Sequence, residues 1–137
     1  MLIGLNGCIE LPTEVPDDFQ LEYGWGACYA FWGRNTLTIY ANGSATNVYE
    51  EEMTIEYEKH YNFTDEELLE IYTEVIRHRF FDLEEKYYNP GVLDGSCSDL
   101  KITADGKKHR VSVSNRHIAP FDRITEKIIG IINSKDV

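Results

Sequence analysis

Thr36-Leu37-Thr38-Ile39-Tyr40 is β-branched, aromatic and alternating; Asn42-Gly43 follows, and Ala45 to Tyr49 resumes the extended pattern. Asn-Gly accepts positive φ at both central positions of a type I′ turn, so this stretch predicts a β-hairpin. Working outward, Phe19-Gln20-Leu21-Glu22-Tyr23 alternates apolar and polar residues as a half-buried strand does. Gly24-Trp25-Gly26-Ala27-Cys28 interrupts it with two glycines, which predicts a bend or bulge. On the other side, Met53-Thr54-Ile55-Glu56-Tyr57-Glu58 alternates again, with Met53, Ile55 and Tyr57 expected to face inward.

Thr64-Asp65-Glu66-Glu67 has the composition of a capping box, and Leu68, Ile71, Tyr72, Val75 and Ile76 follow at helical spacing. Phe80, Phe81 and Leu83 are expected to plug the helix end into the core, and Tyr87-Tyr88-Asn89-Pro90-Gly91 reads as a loop. Leu100 to Thr103 and His109 to Val113 flank Asp105-Gly106, a second hairpin. Pro120 suits a first helical turn, and Phe121, Ile124, Ile128, Ile131 and Ile132 form one face of a closing helix. The order strands, helix, hairpin, helix predicts an α+β domain: an antiparallel sheet of hairpins with two helices packed on one face.

The chain has 137 residues, enough for one domain with a sizeable core, and its composition is that of a globular protein. Its net charge of −11 disfavours nucleic acid and anionic membrane surfaces as partners. Residues 1–100 hold 20 acids and 5 bases, whereas residues 101–137 hold 4 acids and 8 bases. The densest acidic run is Glu50, Glu51, Glu52, Glu56 and Glu58, which suits either a solvated edge strand or an acidic face for a basic partner.

The three cysteines, Cys8, Cys28 and Cys97, have no zinc-site spacing, and no metal or cofactor is expected. Leu5-Asn6-Gly7-Cys8 resembles a bacterial lipobox whose gene would begin upstream of Met1. Residues 1–18 then form a tether ahead of a domain at 19–137, with membrane association only through lipid on Cys8. The competing reading makes Leu2 to Ile9 a small apolar strand. Cys28 and Cys97 can pair if the domain lies outside the cytoplasm; otherwise both are small buried thiols.

Gly24-x-Gly26-x-Cys28, Leu37-Thr38-Ile39, Gly43 and a Thr-Asp-Glu-Glu-Leu helix ending in Phe80-Phe81-x-Leu83 together resemble an uncharacterised prokaryotic domain family. The similarity spans about residues 19–133. It implies a secreted or lipid-anchored α+β domain and brings no activity with it. Members often carry a further cysteine before the glycine element and a proline after its cysteine. This chain has Tyr23 or Gly24, and Tyr29, at those places.

No nucleophile elbow, phosphate loop, metalloprotease or EF-hand motif is present. Asp94 and Asp99 bracket Cys97, and Cys97 with His109 makes a conceivable nucleophile pair, so a small hydrolase stands as one alternative. Asn42 and Asn62 begin glycosylation sequons that turn and cap chemistry also explain. Trp25, Tyr29, Phe31 and Trp32 lie within eight residues, and Tyr87 and Tyr88 lie further on. Aromatic faces beside acids and amides suit either a core plug or a binding patch. The expectation is a non-enzymatic, extracytoplasmic domain that recognises a protein, peptide or envelope polymer through Trp25, Tyr29, Trp32, Tyr87 and Tyr88. The other alternative is a cytoplasmic acidic partner or inhibitor acting through Glu50 to Glu58.

Overall fold

The computed structural model describes residues 9–28, 32–89 and 95–136. Four strands come first: β1 (Gln20–Ala27), β2 (Arg34–Tyr40), β3 (Ser44–Glu51) and β4 (Thr54–Asn62). Helix α1 (Asp65–Arg77), a 3-10 turn (Phe80–Asp82), β5 (Lys86–Tyr88), β6 (Ser96–Ala104), β7 (Lys107–Ser114) and helix α2 (Ala119–Lys135) follow. Among the described residues the strands form one seven-stranded sheet in the order β4-β3-β2-β1-β6-β7-β5. Every pairing is antiparallel except β5 with β7. The protein is an α+β domain.

Local chemistry explains most of the element ends. Thr64 Oγ1 accepts from the Glu67 N–H and Glu67 returns a bond to the Thr64 N–H, closing the capping box. Arg79 takes a left-handed conformation just beyond α1, so the chain turns and buries Phe80 completely. Asp105 and Gly106 both have positive φ, as a two-residue turn requires. Asp18 locks that turn, accepting from the N–H groups of Asp105 and Gly106 at 2.7 and 2.8 Å. Val15 packs against the core, so the segment leading into β1 is docked on the domain.

Residues paired across a sheet share a face, and three transverse rows can be read from the register. His109, Ile102, Leu21, Ile39, Ala45 and Tyr61 make the first; Val111, Leu100, Tyr23, Leu37, Asn47 and Lys59 the second. Most of these side chains join Leu68, Ile71, Tyr72 and Val75 of α1 and Phe121, Ile124, Ile128, Ile131 and Ile132 of α2 in one buried cluster. The two helices also touch each other.

Four local expectations need correction. The glycines do not interrupt β1, whose register with β2 and β6 runs unbroken to Gly26. The Asn42-Gly43 connection is not type I′. The Gly43 N–H donates to the Tyr40 carbonyl and Gly43, not Asn42, has positive φ, giving a three-residue loop. Glycine is needed there because a Cβ would stand 2.3 Å from the Phe63 carbonyl oxygen. Tyr87 and Tyr88 lie in a strand, because β7 offers an open edge on which β5 adds in parallel.

Met53 and Ile55 do not face inward, and Tyr57 stays on the core-carrying face but lies beyond its buried rows, 43% exposed. A register shift at Tyr49/Glu50 leaves Glu56 as an extra residue in β4, so Ile55 pairs with Glu50 while Tyr57 pairs with Tyr49. Such a bulge breaks the two-residue alternation. The whole of residues 51–60 is exposed, with Met53 at 86% on a turn where Glu52 and Met53 both have positive φ.

Candidate functional site

Gly24, Gly26 and Cys28 organise one end of the sheet. Gly24 pairs with Asp99, and Gly26 pairs with Cys97 on one side and Arg34 on the other. With no Cβ at either glycine, the Arg34 side chain crosses β1. Its guanidinium pairs with Asp99 and donates to the Cys97 carbonyl at 3.1 Å. A Cβ on Gly24 would stand 2.6 Å from Asp99 Oδ1 and 2.9 Å from Arg34 Nη2. Gly26, at φ 143°, lets the Gly33 carbonyl approach β1. Arg110 takes the second carboxylate oxygen of Asp99 at 2.9 Å. Cys28 and Cys97 form a disulfide, with Cα atoms 4.7 Å apart.

On the opposite face, the third transverse row is Val113, Ser98, Trp25, Asn35, Tyr49 and Tyr57. It continues the face whose first two rows carry the core. Val113 is buried, Trp25, Asn35 and Tyr49 are half-buried, and Tyr57 is 43% exposed. Trp25 stacks on Tyr23 with ring centroids 4.7 Å apart, and Tyr49 stacks on Tyr57 at 5.2 Å. Between the two stacks Asn35 Oδ1 accepts from Asn47 Nδ2 at 3.2 Å and faces the Tyr57 hydroxyl at 3.5 Å. Lys59 holds its ammonium 5.5 Å from the Tyr57 ring centroid.

Desolvation raises the pKa of the Tyr49 hydroxyl, and the negative charges of Glu51 and Glu56 raise it further. Burial raises that of Tyr23 against hydrogen bonds from Thr125 and Ser98. Asn47 is 7% exposed, and its Oδ1 is the one buried side-chain polar atom without a partner among the described residues.

The residues expected to bind are only partly gathered. Trp25 lies in the row, Trp32 is exposed just before Gly33, and Tyr29 and Phe31 lie outside the described residues. Tyr87 and Tyr88 reach the same end of the sheet, but β5 stands three strands from β1, roughly 14 Å away. The Tyr87 hydroxyl accepts from the Glu84 N–H, and its ring lies under Arg116. Glu50, Glu51, Glu52, Glu56 and Glu58 gather on the β3–β4 hairpin, at and below its turn. Cys8 and Asp94 lie outside the described residues.

The nucleophile pair does not exist. Cys97 is bonded to Cys28, and His109 sits near the other end of β7, its Nε2 2.7 Å from the Leu83 carbonyl. Asp99 is held by two arginines rather than offered as an open acid. No three His, Cys, Asp or Glu side chains gather as a metal site among the described residues. Asn35, Asn47, Tyr49 and Tyr57 escaped the sequence reading as a group. The signal was the Trp25-Asn35-Tyr49-Tyr57 register, which needs the true turn length and the bulge.

The chain belongs to a family described as a domain of unknown function, DUF6438, whose profile matches residues 19–132. The Gly-x-Gly-x-Cys corner and the aromatic row both lie within that span. No curated protein matches the chain.

Proposed function

We propose that this domain is a non-catalytic recognition module of an oxidising compartment, and that it captures its ligand on the row Trp25, Asn35, Tyr49 and Tyr57. In this reading α1 and α2 roof one face of the sheet and stop short of its third row. That face is otherwise committed to the core, so its uncovered margin is where apolar rings stay accessible. The single observation that carries the reading is the register, which lines up an indole, an amide and two phenols from four strands. Aromatic rings offer large contact area at small entropic cost, and amides supply direction.

The Cys28–Cys97 disulfide supports an extracytoplasmic location, since such bonds persist where thiols are not kept reduced. Cys8 is then the point of lipid attachment, and the segment from Ile9 to Pro16 the link to the docked domain. No described helix is long and apolar enough to cross a membrane.

The test incubates the purified chain with two immobilised probe sets, neutral polysaccharides and short peptides of mixed charge. One set should retain the wild type and release folded Trp25→Ala and Tyr57→Ala variants. Equal retention of wild type and variants, or retention by neither set, overturns the proposal. A fall of more than about 10 °C in the melting temperature of Tyr57→Ala would show that the ring is a core group, since exposed sites move stability little.

The exposed β3–β4 hairpin favours a second reading, in which its five glutamates steer a basic protein partner. That association would weaken steeply with salt, and Glu→Gln changes there would slow its on-rate.

A further inference from the structure

We infer that the ligand of the aromatic row is an uncharged glycan, its sugar faces stacked on the rings and its hydroxyls read by Asn35, which Asn47 positions from the core, and by the Tyr57 hydroxyl. The inference rests on the recognition reading above and names its ligand class. Three observations lead to it.

The first is the orphaned amide. Asn47 is nine-tenths buried and directs its Nδ2 at Asn35 in the row, which leaves its own Oδ1 without a donor. A buried carbonyl without a partner is costly and uncommon. A leucine would fill the place with no such cost. The amide pair also runs outward, from Asn47 at the core margin through Asn35 to the Tyr57 hydroxyl on the exposed face. Asn47 is itself enclosed and serves to position Asn35, so the half-buried Asn35 amide and the exposed Tyr57 hydroxyl are the groups that meet sugar hydroxyls, donating or accepting as these do.

The second is the placement of rings on both sides of that polar string. Trp25 pairs with Asn35 on one strand and Tyr49 pairs with it on the other. Ring faces carry negative potential. The C–H groups on the flat side of a sugar ring carry the opposite partial charge and an apolar surface of matching size.

The third is charge. Arg34, the base nearest in sequence to the row, lies across β1 on the opposite face with Asp99. Glu51 and Glu56 act on Tyr49, and Lys59 is drawn onto the Tyr57 ring. Two carboxylates against one ammonium leave the row net negative, which disfavours sulfated, phosphorylated or uronic polymers and leaves neutral chains without that penalty.

The experiment titrates the full oxidised chain calorimetrically with soluble β-1,4-linked glucose and N-acetylglucosamine oligomers. A lysine-rich and a proline-rich peptide form the comparison arm. Saturable oligosaccharide binding is expected, nearly unchanged by added salt. Asn35→Ala should weaken it about tenfold and Tyr57→Phe, which removes only the hydroxyl, about fivefold. Asn47→Leu should also weaken it while melting no lower than wild type, an outcome that a purely structural amide would not give. Peptide binding lost in the same variants, with no oligosaccharide binding, overturns the glycan inference and leaves the recognition reading standing. No binding in either arm, or binding indifferent to all three variants, overturns both.

Discussion

Removal of the Cys28–Cys97 bond gives the most direct measure of how this fold is held. The two cysteines are 69 residues apart in sequence, yet their Cα atoms stand 4.7 Å apart on neighbouring strands. In the chain-entropy treatment a loop of that length lowers the entropy of the unfolded chain enough to stabilise the fold by about 4 kcal/mol. Unfolding entropy near the midpoint is about 2.1 cal/mol/K per residue, or roughly 0.29 kcal/mol/K for this chain. The Cys28→Ala/Cys97→Ala variant should therefore melt about 10–15 °C below the oxidised wild type, and reductant should lower the wild type by a similar amount. Differential scanning calorimetry with and without dithiothreitol reads both numbers. Thiol titration of the denatured, non-lipidated chain should find one free cysteine of the three before reduction. Three reactive thiols in untreated protein, or a double variant melting within about 3 °C of wild type, would refute the reasoning.

Three further outcomes follow from the same structure. Gly24→Ala places a methyl against both Asp99 and Arg34, so the half-buried pair must open. The loss should be about 1–3 kcal/mol by chemical denaturation, and it should shrink in an Asp99→Ala background, because the two changes share one contact. Thr64→Ala removes the α1 cap and should cost about 1 kcal/mol, or roughly 4 °C in melting temperature. Asp18 has its pKa lowered from 3.8, first by the Gly106 N–H and then by that of Asp105. A depressed folded-state value means that its contribution is present above pH 3.8 and is lost as pH falls through the lower folded value. Carbon-detected NMR titration should find Asp18 below the ordinary aspartate range, and Asp18→Asn should flatten that part of the acid unfolding curve.

Element identity was legible because short-range chemistry decides it. Thr64 to Glu67 announced the cap of α1, Asp105-Gly106 the last turn, and the isoleucine spacing after Pro120 the buried stripe of α2. What failed depends on partners distant in sequence. Tyr87 and Tyr88 look like loop residues until β7, some 25 positions later, offers them an edge. Tyr57 and Ile55 look like one apolar stripe until the bulge at Glu56 splits them. The glycines of β1 look like breakers because the sequence cannot show an arginine passing over them. Trp25 alone of the row was singled out in advance as a candidate binding residue. Its companions reach it only through three strand registers, each of which shifts when a turn is misjudged by one residue.

The staple and the row meet at one end of the sheet, and their juxtaposition has a physical consequence. Trp25 lies between Gly24 and Gly26, the two positions over which Arg34 reaches Asp99 and the Cys97 carbonyl. Strands β1, β2 and β6 are thus cross-linked on one face where the row lies on the other. Nearer its opposite end the sheet is held by the buried rows and by Asp18 on the Asp105-Gly106 turn. A shallow binding face gains affinity chiefly by being rigid beforehand, since each ring ordered on binding costs roughly 0.5–1.5 kcal/mol. If the row captures a ligand as proposed, Arg34 and the disulfide do more than stabilise: they hold Trp25 and Asn35 in register beforehand. On this reasoning Arg34→Ala, which touches nothing on the row's face, should weaken capture by Trp25 and Asn35 even at temperatures where the variant is fully folded. A surface whose rings were positioned by the core alone would be indifferent to that change.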